Sequence, residues 1–400
     1  MPKISPSVEY ILLCFCLCLG VLSTALASPL YEIYASNWQI STTQIGYAFI
    51  AYMFGVVFSL LFFNGSTAKY GFKKVVMTGL AICVISLIYS ALATDIWHLC
   101  FARFLIGISS GLLTTSTIVG LAIKFPFKNK ASAGKISSVV TVFGFGLGPL
   151  IGGILADHSA HPLSTPYWIM AAVSFVILCL SSLIHYQHIP STKIKKIKVW
   201  NVPSDPLNKN IFYPCALTAF CCFAVFSLYA ALAGTFISKL PLEQSATLTG
   251  ISISIILFIS TVTQFSFKNL AEDKSLILGL SSVLVGCLLL TVAQYTSSIM
   301  WLVSSILMIG VGHGLALNPA YYFMGLISKK ENPAIFSTFL LIAYQGTIWP
   351  ILFSSMLVDH YGVMASLIAF SSLIILTSIW IFSHLKAIKD KSIQLKTAKI

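Results

Sequence analysis

Apolar residues in this chain come in long runs rather than in alternation with polar ones. Runs of about 20 residues, each long enough for a helix to cross the hydrocarbon core of a bilayer, recur near 8–28, 42–63, 75–93, 98–123, 136–156, 167–186, 211–235, 247–266, 275–294, 299–327, 335–357 and 364–385. The pattern predicts an all-α integral membrane protein with twelve transmembrane helices. Composition points the same way: 57% of residues are hydrophobic and 9% charged, with a mean hydropathy of +0.91, values foreign to an ordinary soluble domain.

The formal net charge of +13 would suit a nucleic-acid partner if the lysines clustered on one surface. Instead they fall in short connections on alternate sides of the predicted spans, which is a topology signal. With both termini cytoplasmic, 22 of the 24 basic residues lie inside; the exceptions are Lys239, in an outer loop, and Arg103, the sole arginine, within a span. The expected location is a bacterial inner membrane, with lipid rather than nucleic acid as surroundings.

Two features invite other readings. Lys3, an apolar centre and Ala25-Leu26-Ala27 mimic a secretory signal, but removing that segment would break the lysine parity, so it reads as a retained first helix continuing past Pro29 to Tyr31 and Glu32. Cys14, Cys16 and Cys18 alternate as metal ligands do on paper, yet such helical positions do not converge, and neither a metal site nor a disulfide is expected.

The connection after the sixth span carries Pro190, Pro203, Pro206 and the cluster Lys193, Lys195, Lys196 and Lys198. It divides the chain into an N-terminal half, 1–186, a basic linker, 187–210, a C-terminal half, 211–385, and a basic tail, 386–400. The halves echo each other at a separation near 200 residues. Gly310 and Gly314 correspond to Gly107 and Gly111, while Trp349-Pro350 and Asp359-His360 correspond to Gly148-Pro149 and Asp157-His158. Two pseudo-symmetric six-helix bundles follow.

Within the fifth span, Gly144, Gly148 and Gly152 share one helical face that admits a neighbouring helix at close range. Pro149 bends the same helix. Together with Gly153 they form Gly-Phe-Gly-Leu-Gly-Pro-Leu-Ile-Gly-Gly, which resembles the fifth-helix antiporter motif of the major facilitator superfamily, although small-residue helix packing alone would account for the spacing. Two further stretches resemble that family. The loop from Asn64 to Lys74 keeps Gly65, Gly71 and the paired bases Lys73 and Lys74 of its cytoplasmic signature, but has Lys69 where the family usually has aspartate. The fourth span has Arg103 followed by Gly107 and Gly111. The resemblance extends over essentially the whole chain and implies a secondary transporter working by alternating access. Its fifth-helix motif favours proton-coupled export of a drug, metabolite or small secreted chelator, with import of a small metabolite as the alternative.

Chemistry-bearing residues are few. No Gly-x-x-x-x-Gly-Lys-Ser/Thr loop is present, so a gradient rather than ATP is the expected drive, and no cofactor is expected. Gly107-Ile-Ser109-Ser-Gly111 has the spacing of a hydrolase elbow, with His313 as conceivable base, but that motif needs a strand-turn-helix corner. A transporter-like sensor would need an output domain that the sequence lacks. Ionisable groups in spans mark function by default, so Glu32, Arg103 and His313 are the proton-coupling candidates. Arg103, roughly 8 Å below the outer surface at 1.5 Å per residue, is expected either to pair with Glu32 or to snorkel. Tyr52, Thr114, Thr115, Gln264, His313, Asn318, Tyr322, Gln345 and Trp349 are the candidates to line a cavity for a small-molecule substrate. A monomer is expected.

Overall fold

The computed structural model describes residues 5–63, 65–125, 131–184, 200–241, 243–267, 269–332, 334–386 and 388–390. Much of the expected linker with its lysine cluster, and most of the basic tail, lies outside the described residues.

Helices account for the regular structure of the described residues, and local sequence sets their ends. Ser5 accepts from the Val8 N–H and Pro6 occupies the first turn of α1 (Pro6–Ala25), a favourable start because proline lacks the N–H a helix start leaves unpaired. A 3-10 turn over Ser28–Leu30, with Pro29 inside it, leads into α2 (Tyr31–Trp38). The first span thus continues to Trp38 through a bend, as the sequence predicts. Ser41 and Gln44 form a reciprocal capping box on α3 (Thr42–Phe62).

The loop signature folds as a short helix, α4 (Ser66–Tyr70), flanked by Gly65 (φ 90°) and Gly71 (φ 81°). Positive φ explains both glycines. After α5 (Phe72–Ala91), Asp95 caps α6 (Ile96–Lys124), accepting from the Trp97 and His98 N–H groups. The glycine-rich fifth span is α7 (Ala131–Asp157), followed by the shorter apolar α8 (Thr165–Ser181). Lys73 Nζ donates to the Ser182 carbonyl at 2.7 Å, so one of the paired bases sits on the C-terminus of α8, where the helix dipole favours a cation.

The remaining helices are α9 (Pro206–Ile237), α10 (Ala246–Ser266), α11 (Glu272–Thr296), α12 (Ile299–Lys330) and α13 (Ala334–Ser383). Helix α13 breaks at Gly362, whose φ of 82° is not helical. Among the described residues, ten helical segments are long and apolar enough to cross a membrane. Counting α13 as two and adding the 17-residue α8 gives twelve spans.

The chain divides into two compact units. One comprises residues 1–196 with 244–254; the other comprises 197–243 with 255–400. In the first, Leu13, Cys16 and Leu17 of α1 are fully buried with Phe72, Leu80, Leu113 and Leu121 from α5 and α6. In the second, the linker end is pinned down: Glu331, at the end of α12, accepts from the Ser204 N–H at 2.9 Å, the Ser204 hydroxyl at 3.1 Å and the Asn208 side-chain amide.

Candidate functional site

Small residues bring the functional helices together. A Cβ on Gly107 would overlap the Tyr52 carbonyl oxygen, and one on Gly55 would overlap the Phe104 carbonyl oxygen, so α3 and α6 touch backbone to backbone. Gly111 faces Ser59 of α3 in the same crossing. On α7 the partner of the glycine face is α1: Gly144 lies on Cys18 and Val21, Gly148 on Leu22 and Ala25, and Gly152 on Leu26. Gly153 points elsewhere, onto the Ala246 backbone at the start of α10. The second unit repeats the device, with Gly310 and Gly314 of α12 against Ile256, Ile259 and Ser260 of α10. Such contacts give membrane helices the dispersion that lipid-facing surfaces cannot.

The α3–α6 crossing presents Tyr52 to Arg103. The guanidinium lies 4.8 Å from the centre of the Tyr52 ring, a cation–π distance. Arg103 has no exposed surface. Its Nη1 donates to the Thr24 carbonyl of α1 at 2.6 Å, whereas Nε and Nη2 have no acceptor. The phenols of Tyr31, Tyr34 and Tyr167, all buried, lie within electrostatic reach. Tyr34 donates to the Tyr167 hydroxyl at 3.3 Å, while the Tyr31 hydroxyl has no hydrogen-bond partner. Both expectations for Arg103 are therefore corrected. Arg103 is fully buried instead of reaching the surface, its Nη1 is held by the Thr24 carbonyl, and among the described residues no ion pair joins it to Glu32. Glu32, partly buried in α2, makes contacts of its own.

In the second unit His313 is buried, and its Nδ1 lies 2.8 Å from the Ser260 hydroxyl across the α10–α12 crossing. Gln264 Nε2 donates to the same hydroxyl at 3.3 Å, and the Phe226 ring of α9 stands 6.2 Å from the imidazole. The structure thus joins two candidates, His313 and Gln264, through a serine that sequence reasoning passed over.

The remaining candidates are less concentrated. Trp349 is 49% exposed and its indole N–H donates to Gln345 at 2.7 Å. Tyr322 is partly buried beside Phe323, and Asn318 is exposed. Thr115 turns its hydroxyl back onto the Gly111 carbonyl at 2.8 Å, and Thr114 is partly buried. Ser109 sits in mid-helix and donates to the Gly79 carbonyl at 2.8 Å; the corner a hydrolase nucleophile requires is absent there.

Sequence reasoning missed three arrangements. Thr24, Tyr31, Tyr34 and Tyr167 around Arg103 gave no signal because aromatic residues near a membrane surface ordinarily read as interfacial anchors. Glu9 and Lys124 form an ion pair at 2.7 Å between the N-terminal end of α1 and the C-terminal end of α6. Asp157 accepts from the Ser245 hydroxyl and from the backbone N–H groups of Ala246 and Thr247. That arrangement was partly legible, since Ser-Ala-Thr opens an apolar run.

Comparison with known proteins follows this geometry. The family model of the Major Facilitator Superfamily matches residues 13–350. Among curated relatives, the tetracycline resistance protein, class H, of Pasteurella multocida is 25% identical over 238 residues, 56% of this chain and 57% of that protein. Multidrug resistance protein MdtG of Salmonella dublin is 27% identical over 197 residues, 47% of each chain. Riboflavin transporter RibZ of Clostridioides difficile is 26% identical over 150 residues, 36% of this chain and 33% of that one. The chain thus spans between a third and three fifths of the length of these relatives. Among solved structures, the POT family transporter PepTSo superposes with a TM-score of 0.78 at 13% identity, covering 96% of this chain and 99% of that one. A bacterial homologue of the human lysosomal transporter Spinster, inward-facing and unoccupied, superposes with a TM-score of 0.73 at 13% identity, covering 97% and 98%. The twelve spans, the paired glycine crossings and the match over residues 13–350 together place this integral membrane protein in the Major Facilitator Superfamily.

Proposed function

We propose that the protein is a proton-coupled secondary transporter that exports a small molecule by alternating access, as a monomer in a bacterial inner membrane with both termini cytoplasmic. The observation that carries the transport reading is Arg103: a cation without exposure, inside a span, with two of its donors unused. A buried charge in a transmembrane helix is costly and marks a substrate or ion pathway. The division into halves at 187–210 supplies the two bodies that would rock, each with its own buried ionisable residue, Arg103 in one and His313 in the other.

Relatives named for tetracycline and multidrug resistance support export, as does the resemblance of the α7 glycine-proline motif to that of antiporters. The test is accumulation of a metabolite and drug panel in whole cells with and without the gene, repeated after collapse of the proton gradient. Export predicts lower accumulation of at least one compound when the gene is present, reversed by the uncoupler. Higher accumulation would reverse the direction, and an uncoupler-insensitive difference would remove the proton from the mechanism.

A further inference from the structure

The two unused donors of Arg103 are not scattered. Nη1 is held by the Thr24 carbonyl at 2.6 Å, which fixes the orientation of the planar group. Nε and Nη2, both enclosed and without acceptors, form the opposite edge of the fork, the one that meets both oxygens of a carboxylate side-on. The Tyr31 hydroxyl makes no well-formed hydrogen bond and lies beside the same guanidinium, within side-chain hydrogen-bonding reach of it. Arginine does not shed its proton to escape burial, and among the described residues no carboxylate pairs with it. Leaving such a charge uncompensated is strongly unfavourable.

We propose that this edge, with the Tyr31 hydroxyl as a third donor, is the recognition site for the carboxylate of the transported molecule. Among the described residues only one cation stands in the cluster, so a monoanion balances it where a dianion would leave charge over. The surroundings specify the rest of the ligand. Tyr52 covers a face of the guanidinium, Phe49 sits edge-on to both Tyr52 and Tyr31 with ring centres 5.3 and 6.4 Å away, and Tyr34 and Tyr167 are fully buried nearby. An apolar or aromatic monocarboxylate fits such walls, whereas a sugar or a polyanion does not. The assignment of this ligand as cargo rests on the transport reading above; its binding does not.

The test uses the full chain purified in detergent and a probe set pairing benzoate, hydrocinnamate and octanoate with their primary amides. Equilibrium binding and thermal stabilisation are read for each pair. At least one carboxylate is expected to bind while its amide does not. Arg103→Lys, which keeps the charge but removes the two-donor edge, should weaken that binding about 10- to 100-fold. Tyr31→Phe, a milder change that guards against misfolding of the first variant, should weaken it a few-fold. Failure of all three carboxylates to bind, equal binding of an amide, or unchanged affinity in a monodisperse Arg103→Lys protein would overturn the site. Counterflow in proteoliposomes separates the two readings. Specific binding without exchange overturns transport and leaves the site, while exchange of a neutral compound insensitive to Arg103→Lys overturns the site and leaves transport.

Discussion

Asp157, the last residue of α7, accepts a hydrogen bond from the backbone N–H of Thr247 in the first turn of α10 at 2.8 Å. The Ala246 N–H adds a second at 3.0 Å and the Ser245 hydroxyl a third. One carboxylate therefore caps a helix that is distant in sequence, using donors that every helix start leaves unpaired. Its negative charge also meets the positive end of the helix dipole. Asp157→Ala should destabilise the detergent-solubilised protein by about 1–2 kcal/mol, with Asp157→Asn intermediate because it keeps an acceptor but loses the charge. An unchanged unfolding midpoint in Asp157→Ala would show that the cap contributes nothing.

Close approach on α7 makes a contrasting pair of glycine predictions. A Cβ at position 148 would stand 2.6 Å from the Leu22 carbonyl oxygen and 2.9 Å from the Ala25 Cβ, whereas one at Gly325 would meet nothing within 4 Å. Gly148→Leu should cost about 1–3 kcal/mol by overpacking and impair transport more than membrane insertion. Gly325→Ala should be neutral or stabilise by up to about 1 kcal/mol through helix propensity. Thermal unfolding of both variants beside wild type measures the difference, and equal behaviour would mean that the α1–α7 contact yields readily.

The contrast also shows what the sequence revealed. Four-residue glycine spacing announced a close contact, but not that α1 was its partner, because spacing describes one surface and says nothing of the other. Arg103 was visible as an anomaly in an apolar run. Its pairing was not, since Thr24 offers a backbone carbonyl, and a backbone acceptor leaves no trace in side-chain identity. His313 stood out for the same reason as Arg103. Ser260 did not, because serines are common in membrane helices and mostly bond to their own backbone, as Ser254 does with the Gly250 carbonyl at 2.7 Å.

Glu331 supplies a pH prediction outside the membrane. Burial pushes its carboxyl up, but hydrogen bonds from Asn208 and Ser204 outweigh that and hold it below the usual carboxylate range. The charged form is therefore the one the folded state favours. Its contribution is fully present above the ordinary glutamate range and is lost as pH falls through the lowered value. Acidification below pH ~4 should release residues 204–208 from the end of α12, read as a lower protection of the Ser204 amide, relative to the intrinsic exchange rate at each pH, than at neutral pH. In Glu331→Gln that pH dependence should be absent. A pH response in the variant as large as in wild type would assign it to another group.

Coupling is the remaining question, and we propose that Arg103 and His313 divide the labour between them. The Arg103 head is tied to the Thr24 carbonyl, and we propose that it holds an anion rather than carrying a proton. His313 differs. Its ring can exist in two protonation states, and the group it faces, the Ser260 hydroxyl, can donate to the neutral ring or accept from the charged one. Exchanging one role for the other needs only a rotation of the hydroxyl, with Gln264 Nε2 already donating to the same oxygen. Protonation could thereby change the contact between α10 and α12 at the place where Gly314 seats them together. The expected outcome for His313→Gln is loss of accumulation driven by a proton gradient with substrate counterflow retained, since counterflow needs alternating access but no net proton movement. Ser260→Ala should keep both activities and shift the pH profile of the first. Glu32→Gln is the necessary companion, because Glu32 is the other titratable candidate in a span. If His313→Gln still accumulates substrate against its gradient while Glu32→Gln does not, the proton travels through the first unit and His313 serves only to hold α10 against α12.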